Sequence, residues 1–297
     1  MTEWAHHNFT KRTIRSARRT GALLRLVGVT SLLACTGCGG FLVENGIFPL
    51  PTIHLISPTP AARGLAYETV TTESANGETI YGWFIPAEGA TATILFNHGA
   101  LFNRSTYVDH IKLFHDLGCH VLIMDYQGFG ESLALARLGT VLDDANAALD
   151  YLRSRPEPGT DQIVIYGVSM GTMPTLAQAA AGHADVVGII LEGVVQQTRL
   201  SSVGYFLLGI EPSPEAFDRI PPELDPFAHI GTITIPKLLI QSREDDVTPF
   251  TGAQDLFDMA IEPKTLAEST GFHGLSIGAD PAYAVHVQTF LEAVIQR

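Results

Sequence analysis

Gly167-Val168-Ser169-Met170-Gly171 follows directly on the apolar, β-branched run Ile163-Val164-Ile165-Tyr166, and a helix-compatible stretch from Thr175 to Ala181 comes after it. Strand, sharp turn and helix form the context in which Gly-x-Ser-x-Gly holds a nucleophilic serine on a strained turn. Glycines at 167 and 171 keep clear the two places where a side chain would clash. The Ser169 hydroxyl then projects above the strand ends, with the Met170 N–H beside it at the start of a helix. The pentapeptide alone is a weak signal, because ordinary turns also use Gly and Ser. Its flanks and its partners carry the weight.

A serine needs a base, an orienter for that base and donors for the oxyanion. Each is expected in a loop that follows a strand. After Lys237-Leu238-Leu239-Ile240 comes Gln241-Ser242-Arg243-Glu244-Asp245-Asp246-Val247-Thr248-Pro249. A carboxylate here can accept the imidazole N–H and fix its tautomer. Position four before Pro249 favours Asp245, with Asp246 as the alternative. Of eleven histidines, His273 sits in the glycine-flanked loop Gly271-Phe272-His273-Gly274, between the last strand, around Lys264 to Leu266, and the last helix. His54, His110, His115, His183, His229 and His286 read as surface or core residues. For the oxyanion, Asn97-His98-Gly99-Ala100-Leu101 follows the strand Ile94-Leu95-Phe96. The Ala100 and Met170 N–H groups are the expected pair of donors, and removing one such donor typically costs about 3 kcal/mol of transition-state stabilisation. His98 reads as a brace for this loop, and Asp125 as the anchor of a tight turn in Asp125-Tyr126-Gln127-Gly128-Phe129-Gly130-Glu131-Ser132.

These loops need a scaffold of strands that alternate with helices. Strands are expected at 67–72 and 79–85 around the hairpin signal Asn76-Gly77, and at 93–96, 121–124, 163–166, 186–191, 237–240 and 264–266. Helices are expected over 107–117, 140–153, 172–182 and 281–295. Apolar strands alternating with helices imply a mostly parallel sheet covered on both faces, with reactive loops at the strand carboxyl ends. Between Glu192 and Ile235 the rhythm breaks. This stretch carries Tyr205-Phe206-Leu207-Leu208 and then prolines at 212, 214, 221, 222 and 226. The insert 193–235 reads either as a cap that shapes a substrate pocket, with Leu101, Tyr205 and Phe206 lining it, or as a helix and connection packed on the sheet edge.

The whole chain narrows the class. It has 297 residues, 46% of them hydrophobic and 16% charged, which suits a globular protein with a sizeable core. A net charge of −13 argues against nucleic-acid binding. No metal-type Cys/His spacing occurs, and three cysteines make no disulfide framework. The charge is uneven. Residues 1–34 hold Lys11, Arg12, Arg15, Arg18, Arg19 and Arg25 against Glu3, and Leu26 to Ala34 is apolar or small. A basic segment, a short apolar core and small residues describe a secretory signal. The run Leu32-Leu33-Ala34-Cys35 is similar to a bacterial lipoprotein signal, in which Cys35 would be lipidated. A plain secretory signal or an uncleaved anchor is the alternative. The chain is expected to divide into a signal over 1–34, a tether over 35–64 and one domain over 65–297. The protein would then sit on a membrane in the cell envelope without spanning it, at the outer membrane where the host has two.

His-Gly-Ala at 98–100, Asp-Tyr-x-Gly-x-Gly-x-Ser at 125–132, Gly-x-Ser-Met-Gly at 167–171, the acid before Val-x-Pro at 247–249 and Gly-x-His-Gly at 271–274 occur together in one order. That set resembles the α/β-hydrolase family over residues 65–297, near serine esterases and lipid hydrolases of the monoacylglycerol lipase and Bem46-like kind. It departs at Gln127 and Ser242, where arginine and glycine are common. The resemblance implies an α/β-hydrolase fold with helices on both faces of the sheet and a small cap. It also implies ester or thioester hydrolysis through an acyl-enzyme on Ser169, with no metal or organic cofactor. A serine peptidase, a cofactor-free perhydrolase or haloperoxidase, and a binding module on the same fold share these features.

Overall fold

In a computed structural model of the chain, residues 57–100, 103–157, 159–196 and 221–296 are described. The expected signal segment, Cys35, most of the expected tether, and Leu101, Tyr205 and Phe206 lie outside them. Eight strands form one sheet: β1 Glu68–Glu73, β2 Thr79–Ile85, β3 Ala92–Asn97, β4 Cys119–Met124, β5 Ile163–Val168, β6 Val186–Glu192, β7 Lys237–Ser242 and β8 Lys264–Ser269. Their order is β1-β2-β4-β3-β5-β6-β7-β8. β2 runs antiparallel to both its neighbours, and the pairs from β4 to β8 are parallel. This is the α/β-hydrolase architecture expected from the sequence.

β3, β4 and β5 are buried at every residue, which is why they read as unbroken apolar runs. Helices of nine or more residues cover both faces. On one side α1 (Val108–Asp116) and α5 (Tyr283–Val294) pack Ile111, Phe114, Val287 and Phe290 over Ile94, Phe96, Val164 and Tyr166. On the other, α2 (Leu138–Arg153), α3 (Thr172–Ala180) and α4 (Phe250–Met259) pack Leu149, Leu152, Leu176 and Leu256 over Leu95, Ile165, Ile189 and Leu239. α4 was not among the expected helices. It starts directly after Pro249, whose fixed φ suits a helix entry, and it buries Gly252, Ala253 and Leu256 along one stripe.

The described residues include a short turn ahead of Leu65. Pro60–Arg63 forms a single 3-10 turn with Pro60 buried, and the Arg63 guanidinium pairs with Asp109 at the first turn of α1. The far end of the 193–235 insert is described as well. Short helical turns at Pro222–Leu224, Pro226–His229 and Ile230–Thr232 bury Leu224, Ile230 and Ile233, and the last two join the core beneath α3 and α4. That part of the insert packs against α3 and α4. Among the described residues, no helix is long and apolar enough to cross a membrane.

Candidate active site

Ser169 follows the last residue of β5 and has φ +53°, a left-handed conformation for a residue that carries a Cβ. Such strain costs on the order of 1–3 kcal/mol and persists only where the surroundings over-determine it. Here they do. A Cβ on Gly171 would overlap the Asn97 carbonyl, and one on Gly167 would overlap Thr175 Oγ1. The Asn97 amide donates to Thr175 Oγ1 and Gln178 Oε1, each at 2.9 Å, which ties the end of β3 to α3. Thr172 Oγ1 donates to the Ser169 carbonyl at 2.7 Å and closes the turn.

The structure brings His273 and Asp245 to this serine. His273 Nε2 lies 2.7 Å from Ser169 Oγ, and His273 Nδ1 lies 2.7 Å from Asp245 Oδ2. An ionised carboxylate only accepts, so the proton belongs on Nδ1 and Nε2 is left to accept the Ser169 hydroxyl. Asp246, the alternative acid, is exposed to solvent. Asp245 is buried, and burial by itself pushes its carboxyl up. The hydrogen bond and charge of His273, with donors from Thr248, outweigh that and hold it below the usual carboxylate range. The Val247 and Thr248 N–H groups donate to Oδ1 at 2.9 and 2.7 Å.

Several partners were not singled out from the sequence. Thr248 Oγ1 donates to Asp245 Oδ2 at 2.8 Å and lies 3.1 Å from His273 Nδ1. The Gln241 amide donates to the Thr248 carbonyl at 2.6 Å and to Asp245 Oδ2 at 3.2 Å. Ser242, one of the departures from the family pattern, donates to the Gly271 carbonyl at 2.5 Å and so fastens the acid loop to the histidine loop. Gly193 has φ +61°, and a Cβ there would sit 2.9 Å from His273 Cε1, so only glycine lets the imidazole seat against the end of β6. Gln127, the other departure, donates its side-chain and backbone N–H groups to the buried Asp144 carboxylate at 2.7 and 2.8 Å. With neutral donors only, burial raises the Asp144 carboxyl above its usual range.

The loop that carries Ala100 abuts the serine: a Cβ on Gly99 would be 3.1 Å from Ser169 Cβ. Met170 is buried in the turn Ser169–Gly171. His98 Nδ1 donates to the Gly99 carbonyl at 2.7 Å, and the Gly99 N–H donates to Tyr107 OH at 3.0 Å. A planar trans peptide points its N–H away from its carbonyl, so fixing Gly99 O also aims the Ala100 N–H. Complete burial pushes the His98 imidazole down to about 4 and keeps it the neutral donor this contact needs.

A family model described as serine aminopeptidase, S33, matches residues 88–211. Protein YfhR of Salmonella typhi is 28% identical over 237 residues, spanning 75% of this chain and 78% of its own. Alpha/beta hydrolase domain-containing protein 17B of Xenopus tropicalis is 27% identical over 255 residues, spanning 78% and 84%. Among solved structures, an esterase of Pyrococcus furiosus superposes with a TM-score of 0.71 at 20% identity, covering 83% of this chain and 97% of that one. An acylaminoacyl peptidase of Pyrococcus horikoshii gives a TM-score of 0.62 at 19% identity, covering 78% and 42%. With the strand order and the covered sheet, these likenesses show the α/β-hydrolase fold and a similarity to hydrolases built on it.

Proposed function

We propose that this protein hydrolyses carboxylic ester or thioester bonds of small or lipid-like substrates through an acyl-enzyme on Ser169. The observation that carries the reading is the continuous hydrogen-bonded path from Ser169 Oγ through His273 to Asp245. In the first half-reaction His273 Nε2 takes the Ser169 proton as Oγ attacks the acyl carbon. Asp245 stabilises the imidazolium, and the Ala100 and Met170 N–H groups hold the oxyanion. The imidazolium then protonates the leaving alcohol or thiol. In the second half-reaction water gives a proton to His273 as it attacks the acyl carbon, and the bond to Ser169 Oγ then breaks as His273 returns that proton to the serine and the acid leaves. A peptidase reading has its own support in the aminopeptidase description of the matching family model. An amide leaving group would use the same residues. Fluorophosphonate labelling of the full chain, with p-nitrophenyl ester and aminoacyl-amide turnover in parallel, tests both. Labelling is expected on Ser169 and absent from Ser169→Ala, with ester turnover the faster. Labelling that persists in the variant overturns the nucleophile, and faster amide turnover favours the peptidase.

The same proposal places the protein on a membrane surface through a lipidated Cys35, because a short apolar run and Leu-Leu-Ala precede that cysteine. One acyl chain binds a bilayer marginally, whereas several anchor firmly. Cys35→Ser in a bacterial host is expected to move the protein to the soluble fraction and to remove lipid mass from the N-terminal peptide. Unchanged fractionation, with no lipid on residue 35 of the wild type, rules out this anchor.

A further inference from the structure

The stretch from His98 to Arg104 carries the Ala100 N–H, and its far end is tied to a buried carboxylate, Asp125. Asp125 lies just past β4, the sheet neighbour of β3. At the near end, the neutral His98 accepts at Nε2 the N–H of Tyr126, the residue after Asp125, 3.4 Å away. At the far end, the Arg104 N–H donates to Asp125 Oδ1 at 2.7 Å, and Arg104 Nη1 pairs with Asp125 Oδ2. The guanidinium is wholly buried. It lies 4.7 Å over the Trp83 ring and gives its other arm, Nη2, to Glu131 on the loop that follows β4. We propose that Arg104 is a positioning residue for the Ala100 oxyanion donor, an inference that rests on reading Ser169 as the nucleophile.

The chemistry of the group supports this assignment. A planar fork can hold two carboxylates and stack on an indole at once, which an ammonium cannot. Burying that charge is unfavourable unless it is fully paired. Stability alone would be served as well by an apolar residue under the loop. What the buried pair adds is a defined place for the start of α1 relative to the end of β4, and Ala100 lies on the segment that runs from β3 into α1. Burial pushes the Asp125 carboxyl up, and with Arg104 pulling the other way it comes to about 6, so the anchor is an ion pair at neutral pH. Among the described residues Arg104 Nε has no hydrogen-bond partner, and the fork is held through its two terminal nitrogens.

An oxyanion donor acts on the transition state, so a loosened loop lowers kcat and leaves KM in place. The experiment compares wild type, Arg104→Lys, Arg104→Met and the charge-neutral pair Arg104→Met with Asp125→Asn. Ester turnover, the rate of fluorophosphonate labelling and thermal melting are read for each. Arg104→Met is expected to lower kcat and the labelling rate together by about 10–100-fold, with KM within about 3-fold, the size of effect a misplaced catalytic group produces. Arg104→Lys falls between it and wild type. The neutral pair removes the unmatched buried charge, so it regains melting temperature and keeps the kcat deficit. If the neutral pair regains kcat along with stability, or if Arg104→Met melts lower yet turns over at the wild-type rate, Arg104 only supports the fold and the proposal fails. If Arg104→Met does not fold, the neutral pair decides alone. A wild type that takes no label on Ser169 overturns the nucleophile reading, and the role of Arg104 with it.

Discussion

Two carboxylate–imidazole pairs stand in this protein, made from the same chemical groups and placed for different ends. In one, Asp245 and His273 meet at 2.7 Å, and the second imidazole nitrogen meets Ser169 Oγ. In the other, Glu192 closes β6, and His110 of α1 faces it with Nε2 3.6 Å from Oε2. Glu192 Oε2 accepts hydrogen bonds from Tyr166 and Tyr283, while Glu192 Oε1 and His110 Nε2 have no hydrogen-bond partner. Both members of this second pair are buried at the end of β6. The first pair sits in loops at the strand carboxyl ends, where a nucleophile can reach the free nitrogen. The second is sealed between α1, β5, β6 and α5. What separates the two pairs is the neighbour of the imidazole Nε2, a serine hydroxyl in one and a buried carboxylate in the other, not the residue types.

Breaking the first pair is expected to have the largest effect. His273→Ala should lower kcat by a factor on the order of 10⁶, and Asp245→Asn by about 10⁴, the scale seen when such a base is removed or its tautomer is lost. Asp246→Asn, altering an exposed carboxylate, should leave kcat within about 2-fold, as surface changes away from a site do. Ester turnover under saturating substrate measures all three. A loss at Asp246 that exceeds the loss at Asp245 would show that the hydrogen bond to His273 does not mark the working acid.

The contrast also shows what was legible in the sequence. Ser169 and His273 lie in loops with local marks: a β-branched strand followed by a glycine turn, and a histidine flanked by glycines. β3, β4 and β5, buried throughout, announced themselves by unbroken apolar runs. Glu192, His110 and Arg104 left no such mark. Glu192 meets its phenols 26 and 91 residues away, and Arg104 meets Asp125 across 21 residues, so no spacing within one element points to them. His110 reads as one helical histidine among others until the sheet sets Glu192 in front of it. α4 was missed for a related reason. Its stripe of Gly252, Ala253 and Leu256 is small and interrupted, and only the packing against β7 and β8 makes it a helix face.

The last and smallest effect tests the second pair. Glu192→Gln keeps the shape and an oxygen to accept the Tyr166 and Tyr283 hydroxyls, and removes the charge. If the pair is structural, kcat should stay within about 3-fold while stability drops by about 1–2 kcal/mol, the range for a weakened buried polar contact. That is roughly 2–8 °C in melting temperature for a domain of this size. The pH dependence gives a second reading. Burial alone pushes the Glu192 carboxyl up, but His110 and the two phenols outweigh it and hold it below its usual range. A carboxyl lowered on folding lends stability that is present above its ordinary value, about 4.3, and is lost as pH falls through the folded value. Wild type should therefore lose stability between pH 5 and pH 3 more steeply than Glu192→Gln, in denaturant titrations at matched salt. Gly193 links this pair to the first, since it follows Glu192 directly and seats His273. A variant that melts like wild type but loses 100-fold or more in kcat would mean that the Glu192 charge reaches His273 through that contact, and the two pairs would then be one system.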